Sequence, residues 1–163
     1  MDSDIVVRPP ARTDIEALAR LHISTWRDTY SELVPQSFFS DEMLELRRRM
    51  WMEWVEEERS RRTIRVAEID GAVVGFAAAG APLSHPAPRT IELYLLYLSK
   101  EWHGSGAGQM MMDAVIAGHP AFLWVARHNA RACAFYARNG FVPDGSEKVD
   151  PLAEKLIEIR LVR

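Results

Sequence analysis

Residues 91–108 read IELYLLYLSKEWHGSGAG and decide the fold. The first eight of these residues are rich in Leu, Tyr and Ile, a composition typical of a buried central strand. Small residues follow at 103–108, and the apolar spacing of Met111, Met112, Val115 and Ile116 then predicts a helix. A strand, a glycine-rich turn and a helix in this order bring backbone N–H groups to the positive end of the helix. The segment therefore predicts an anion site.

Two well-known phosphate motifs do not fit this turn. No Gly-Lys-Ser/Thr follows it, so it is not a Walker A loop, and Gln109-Met110 stands where a dinucleotide fingerprint has its later glycine. The unit before the turn is predicted to be antiparallel, which also argues against a dinucleotide fold. A pyrophosphate can still bind here, and a tight connection without any ligand is the alternative.

The rest of the chain alternates between helical and strand periodicity. Strands are predicted at residues 5–7, 64–69, 73–79, 91–98, 122–125 and 156–162, and helices after Thr13 or Asp14, at 41–59, at 108–116 and from Asn129 to Gly140. Asp70-Gly71 between two strands predicts a tight hairpin, because both turn residues tolerate positive φ. The order predicts a mixed α/β domain with helices packed on one central sheet.

Composition excludes several classes of function. The 163 residues carry 20 Lys and Arg against 23 Asp and Glu, a net charge of −3 that gives no basic surplus for nucleic acid. The longest nearly apolar stretch, residues 72–83, is short and interrupted by Gly and Pro, so no membrane span is expected. His22, His85, His119 and His128 show no metal-ligand spacing.

A cytoplasmic location is expected from two features. Cys133 is the single cysteine, so no intrachain disulfide can form. Residues 1–7 show neither the basic start nor the apolar core of a secretory leader.

The turn and two later segments resemble the GNAT family of acetyltransferases. The family's loop pattern is Gln or Arg, two residues, Gly, one residue, then Gly or Ala; His103, Gly106 and Gly108 stand at those positions, with His103 departing from the usual Gln or Arg. Residues 123–125 (LWV), 129–132 (NARA) and 135–141 (FYARNGF) are similar to the family's next strand, its Asn-bearing turn and its Phe-Tyr helix. The match covers nearly the whole chain.

The resemblance implies a GNAT-like fold, with residues 1–163 as a single domain. It implies a mixed central sheet of about six to seven strands with about four helices, acetyl-CoA as co-substrate and no metal. It also allows a homodimer, to which no particular residue points. The residues expected to bind the coenzyme are Tyr97, Leu98, His103, Gly104, Ser105, Gly106, Ala107, Gly108, Asn129 and Arg131.

Within that resemblance, some residues have an expected chemical role and an ordinary alternative. Tyr136 matches the family's general acid, which protonates the coenzyme sulfur, and is otherwise a packing residue. Glu92 is the acid expected to take a proton from the amine, and is otherwise a solvated or paired charge. A backbone N–H near Tyr97 or Leu98 is expected to polarise the acetyl carbonyl. Asn129 can equally be a helix N-cap.

The acceptor is expected to contact the first two helices. Residues 21–35 look like the opening of small-amine and polyamine acetyltransferases, and Trp26 and Tyr30 are expected to line an aromatic slot for a cationic amine. Trp51 and Trp54 are further candidates, although at least two of the three tryptophans are expected to be core. Protein N-termini, aminoglycosides and amino acids remain open as acceptors.

Two rival functions compete with acetyl transfer to a small amine, a polyamine or a protein amine. The first is a non-catalytic module that binds acyl-CoA as a regulatory partner, which the replacement at His103 favours. The second is a nucleotide-binding domain that uses the glycine-rich turn for phosphate alone.

Overall fold

The chain folds into a seven-stranded sheet with four α-helices, which confirms the mixed architecture expected from the sequence. The computed structural model describes residues 3–163, except for the side chains of residues 58–60. Residues 1–2, which belong to the segment expected to carry no secretory leader, lie outside the described part. The strands are β1 (Ile5–Arg8), β2 (Arg62–Ile69), β3 (Ala72–Gly80), β4 (Glu92–Leu98), β5 (Phe122–Ala126), β6 (Val142–Asp150) and β7 (Ala153–Val162). The helices are α1 (Ile15–Tyr30), α2 (Asp41–Arg61), α3 (Ala107–Ile116) and α4 (Ala130–Arg138).

The sheet has the order β1-β2-β3-β4-β5-β7-β6, and helices pack on both faces of its inner strands. On one face, Val66 and Phe76 pack with Leu18 of α1 and Trp51 of α2. The neighbouring residues in sequence, such as Ala67, turn to the other face and pack against α3. Within residues 3–163, no helix combines the length and the apolar character needed to cross a membrane.

The antiparallel pairs β2–β3 and β6–β7 differ in how well they could be predicted from the sequence. Asp70 and Gly71 have φ of +51° and +78°, which confirms the predicted hairpin. By contrast, β6 was not predicted. It is an edge strand that is almost entirely exposed, and it contains Pro143 and a register shift between Pro143 and Glu147. An exposed edge strand does not need an apolar face, so alternation was absent from its sequence.

The parallel strands β4 and β5 separate after a short contact. Glu92 pairs with Phe122 and Leu93 with Leu123, and no later residues of these two fully described strands pair with each other. On their outer sides, β4 continues to pair with β3 and β5 with β7. The result is a wedge-shaped opening in the middle of the sheet, hereafter the strand gap, between residues 94–98 and residues 124–126.

Candidate active site

The glycine loop, residues 103–108, turns the chain from β4 into α3. Gly104 and Gly106 have φ of +84° and +93°, which residues with a Cβ rarely adopt, although no atom lies within 4 Å of where a Cβ would stand. Ser105 Oγ accepts a hydrogen bond from the Ala107 N–H at 3.3 Å. Among the described residues, the N–H groups of Gly104, Gly106 and Gly108 have no partner. The loop thus offers free donors at a helix N-terminus, which fits a coenzyme diphosphate.

The end of β4 directs one backbone N–H into the strand gap. Ser99 N–H donates to the Val74 carbonyl of β3 at 2.8 Å, so the backbone groups of Leu98 point the opposite way. The Leu98 carbonyl accepts from His103 Nε2 at 3.0 Å, which means that this nitrogen carries the hydrogen. By the same alternation, the backbone of Tyr97 faces β3. Of the two N–H groups expected to reach the acetyl carbonyl, the geometry therefore favours that of Leu98.

A cavity of about 650 Å³ joins the glycine loop to the strand gap and α1. Most of the site residues expected from the sequence line it: Trp26, Tyr30, Tyr97, Leu98, His103, Gly104, Gly106, Gly108, Asn129, Arg131 and Tyr136. Three expected residues do not line it, namely Ser105, Ala107 and Glu92. Ala107 is fully buried under the loop, and Ser105 bonds within the loop.

Glu92 is committed to a loop rather than to the cavity. Its carboxylate is buried and accepts hydrogen bonds from the backbone N–H of Leu83 at 2.6 Å and of Ser84 at 3.3 Å. The Ser84 hydroxyl lies 3.4 Å from the other carboxylate oxygen and accepts from Trp124 Nε1 at 3.1 Å. A carboxylate held in this way positions the loop and the indole, so the structure does not bring Glu92 to the place expected for a proton acceptor.

Three tyrosine side chains meet at the strand gap. Tyr30, Tyr97 and Tyr136 come from α1, β4 and α4, and the Tyr30 hydroxyl lies near Tyr97 and Asn129. Burial raises the pKa of Tyr136, and the neighbouring Tyr30 and Cys133 add to the effect. Burial also raises the pKa of Tyr97 well above its ordinary value. All three phenols therefore stay protonated near neutral pH and can donate hydrogen bonds.

Asn129 and Arg131 sit at the start of α4. Asn129 Oδ1 accepts from the Ala132 N–H at 3.2 Å, so the side chain is the N-cap of the helix, and it also lines the cavity. Arg131 is exposed at the cavity wall. Its position suits contact with an anionic ligand, while the N-cap accounts for one of the hydrogen bonds of Asn129.

Trp26 forms an aromatic wall on the α1 side. It stacks on Phe38 at 5.7 Å between ring centroids, contacts Tyr30 edge-on at 4.9 Å, and has the Arg47 guanidinium 5.6 Å from its ring. Its indole Nε1 is buried without a hydrogen-bond partner among the described residues. Trp51 and Trp54 instead pack in the core around Phe76, as expected for at least two of the three tryptophans.

Several cavity residues were not predicted from the sequence. Glu158 and Asp28 add carboxylates, Trp124 adds a second indole, and Lys100 and Arg138 add positive charge. Arg138 lies seven residues after Arg131 on the predicted helix, a spacing that places both on one face and was a usable signal. Glu158 lay in the predicted final strand, but the sequence does not show that this strand pairs with β5, which borders the strand gap.

Comparison with known proteins places these features in a family. The model of the acetyltransferase (GNAT) family matches residues 21–141. The uncharacterized N-acetyltransferase YuaI of Bacillus subtilis is 30% identical over 132 residues, which are 77% of this chain and 73% of the relative. An uncharacterized N-acetyltransferase of Mycobacterium tuberculosis is 37% identical over 92 residues, 53% of this chain and 56% of the relative. The PaiA N-acetyltransferase of Thermoplasma acidophilum, solved in complex with coenzyme A, matches 98% of this chain and 99% of its own with a TM-score of 0.69 and 19% identity. The chain therefore belongs to the GNAT family of acetyl-CoA-dependent acyltransferases.

Proposed function

We propose that the protein transfers the acetyl group of acetyl-CoA to a primary amine by direct attack in a ternary complex. The observation that carries this proposal is a single cavity that is lined both by the glycine loop, with its free N–H groups, and by Tyr136. The names of the two curated relatives above, both N-acetyltransferases, support a nitrogen acceptor.

The coenzyme end of the cavity suits an acyl-CoA. Gly104, Gly106 and Gly108 supply backbone donors for the diphosphate, and Lys100, Arg131 and Arg138 contribute three positive charges to the same wall. The unpaired edge of β4 at Leu98 suits strand-like hydrogen bonds with a pantetheine arm. His103 contributes to this end through its bond to the Leu98 carbonyl. No metal enters the proposal.

The chemistry of transfer falls on two groups at the gap. Acetyl-CoA supplies the acetyl group as an activated thioester. The Leu98 N–H polarises the carbonyl as negative charge develops on its oxygen. The Tyr136 hydroxyl, which burial keeps protonated, donates its proton to the departing sulfur.

The acceptor end favours a cationic amine with an apolar stem. Trp26 and Tyr30 supply aromatic faces there, and Asp28 and Glu158 supply negative charge. Within the broader set of small amines, polyamines and protein amines, this combination fits small amines and polyamines best. The proposal also assigns the protein to the cytoplasm, where Cys133 stays reduced. It acts there as a monomer or a homodimer.

A turnover assay tests the function. Acetyl-CoA is incubated with the protein and a panel of primary amines, and free thiol is measured as it is released. Amine-dependent release is expected. Tight binding of acetyl-CoA without thiol release from any amine would instead support the non-catalytic module, and a preference for ATP or NAD over acetyl-CoA in thermal stabilisation would support the nucleotide-binding domain.

Tyr136→Phe tests the assignment of the proton donor. We expect kcat to fall by about a hundredfold or more, because a general acid typically contributes that much, while the Kd of acetyl-CoA stays close to that of the unaltered protein. Tyr94→Phe is the comparison variant: Tyr94 also lines the cavity, but its hydroxyl donates to the Ala81 carbonyl in a neighbouring loop, so its loss should change kcat little. Equal losses of kcat and coenzyme affinity in Tyr136→Phe would contradict the acid role.

A further inference from the structure

A lysine of this chain already places its ammonium group beside the acceptor end of the cavity. Lys148 Nζ lies 3.4 Å from Glu158 Oε2 and 4.4 Å from the centroid of the Trp124 ring. A carboxylate and an indole face are the two groups that best hold an alkylammonium ion in water. The pair formed by Glu158 and Trp124 is hereafter called the ammonium site. In the structure it already holds one primary alkylammonium group, the side chain of Lys148.

Both residues of the ammonium site line the cavity. Trp124 is on β5, which borders the strand gap, and Glu158 is on the adjacent strand β7, paired with Ala126 of β5. Burial is the main cause of the raised pKa of Tyr30, and the charge of Glu158 adds to it. The carboxylate is thus close to the tyrosine hydroxyls that surround the proposed reaction centre.

Lys148 is held weakly enough to be displaced. Its side chain is 45% exposed and that of Glu158 is 23% exposed, and ion pairs with this exposure are strongly screened by water. The other cation near Trp124 is fixed in place. Arg160 lies 5.6 Å from the ring, but it is bound to Asp144 at 2.6 Å and to the Pro86 carbonyl at 2.9 Å. Only Lys148 of the two is free to leave without breaking several hydrogen bonds.

We infer that the ammonium site is where the acceptor amine binds, and that a primary alkylammonium ligand displaces Lys148 from it. This inference rests on the proposed function and gives it a substrate class, primary alkylamines that are cationic at neutral pH. Glu158 accepts one proton from the ammonium, which frees the nitrogen lone pair. The C–N bond then forms as the C–S bond breaks, Tyr136 protonates the sulfur, and the second nitrogen proton restores the Tyr136 hydroxyl.

Binding of 1,5-diaminopentane to the coenzyme A-bound protein tests the site without requiring catalysis. Lys148→Met keeps the alkyl stem and removes the competing charge, so titration calorimetry should give a Kd lower by roughly threefold. Glu158→Gln should raise the Kd by about tenfold or more, because a charged hydrogen bond is lost. Lys155→Met and Glu154→Gln are the matched controls on exposed positions of β7, and they should leave the Kd unchanged.

The same variants are then compared in the turnover assay. The KM of the diamine should fall in Lys148→Met and rise in Glu158→Gln, with the KM of acetyl-CoA unchanged. If each variant behaves like its control in both measurements, the contact of Lys148 with Glu158 is only a cross-strand ion pair and the inference is overturned. If the diamine binds with the expected dependence but no thiol is released, the proposed function fails and the ammonium site stands. If thiol is released and the variants match their controls, the function stands and the site fails.

Discussion

Glu92 is a buried carboxylate whose hydrogen bonds go to a neighbouring loop. It receives two backbone N–H groups of the loop after β3 and, through Ser84, fixes the indole of Trp124. We expect Glu92→Gln to lower the free energy of unfolding by about 1–3 kcal/mol, because charge-assisted hydrogen bonds are replaced by weaker ones and an amide nitrogen faces donors. Urea denaturation followed by tryptophan fluorescence measures this change.

Glu154→Gln provides the reference for Glu92→Gln, since Glu154 is exposed on β7. Kinetics separate the positioning role of Glu92 from direct proton transfer. A positioning residue lowers stability and raises the KM of the amine through Trp124. A variant with full stability and a large fall in kcat alone would show that Glu92 takes the proton after all.

At the level of single residues, the sequence identified types better than roles. The resemblance to the GNAT family implied that Tyr136, the glycine loop and Trp26 belong to one site, and all three contribute to the lining of one cavity. Glu92 was expected to take the proton of the amine because it stands at the start of the central strand. The sequence does not show that its carboxylate is hydrogen-bonded to Leu83 and Ser84. Glu158 was missed, since its approach to the gap depends on β7 pairing with β5, a contact between residues more than thirty positions apart.

The turn into α3 is the element on which coenzyme binding depends. Gly106 has φ of +93° and is the N-cap of α3. A valine there strains the backbone by about 1–2 kcal/mol and shifts the N–H groups that the loop presents. We expect Gly106→Val to abolish the rise in melting temperature that acetyl-CoA produces in the unaltered protein.

Gly118→Val is the matched control for the loop. Gly118 follows α3, has no positive φ, and has no atom within 4 Å of the position of a Cβ. It should melt near the temperature of the unaltered protein and keep the full response to acetyl-CoA. A Gly106→Val protein that is stabilised as strongly as this control would remove the glycine loop from the coenzyme site.

Elements with a buried face were predictable, and the element without one was not. The helices and inner strands follow from apolar periodicity, and the β2–β3 hairpin follows from Asp70-Gly71. The strand β6 has a sequence, VPDGSEKVD, in which Asp144-Gly145 indicates a turn. Its pairing to β7 supplies the backbone hydrogen bonds that hold it, and these leave no trace in the side-chain pattern.

The whole molecule carries a buried neutral histidine that couples folding to pH. His22 is 1% exposed, lies between the rings of Trp51, Phe76 and Tyr97, and accepts a hydrogen bond from Trp51 Nε1 at 3.3 Å through Nδ1. Burial lowers the pKa of His22 well below 6.5, and the charge of Arg47 adds to this. The unfolded chain therefore binds a proton below about pH 6.5 that the folded chain does not bind.

The sign of the effect follows from that difference. Above pH 6.5, His22 is neutral in both states and stability is unaffected; below it, the free energy of unfolding falls by up to about 1.4 kcal/mol per pH unit until the folded pKa is reached. His22→Asn places an amide oxygen near the position of Nδ1 and cannot titrate. Urea titrations between pH 7.5 and 5 should show this slope in the unaltered protein and in His119→Gln, an exposed control, and a flatter line in His22→Asn. Equal slopes of the unfolding free energy against pH in all three proteins would contradict this. They would mean that the core formed by α1, α2 and the sheet opens locally, so that His22 takes up a proton before the protein unfolds.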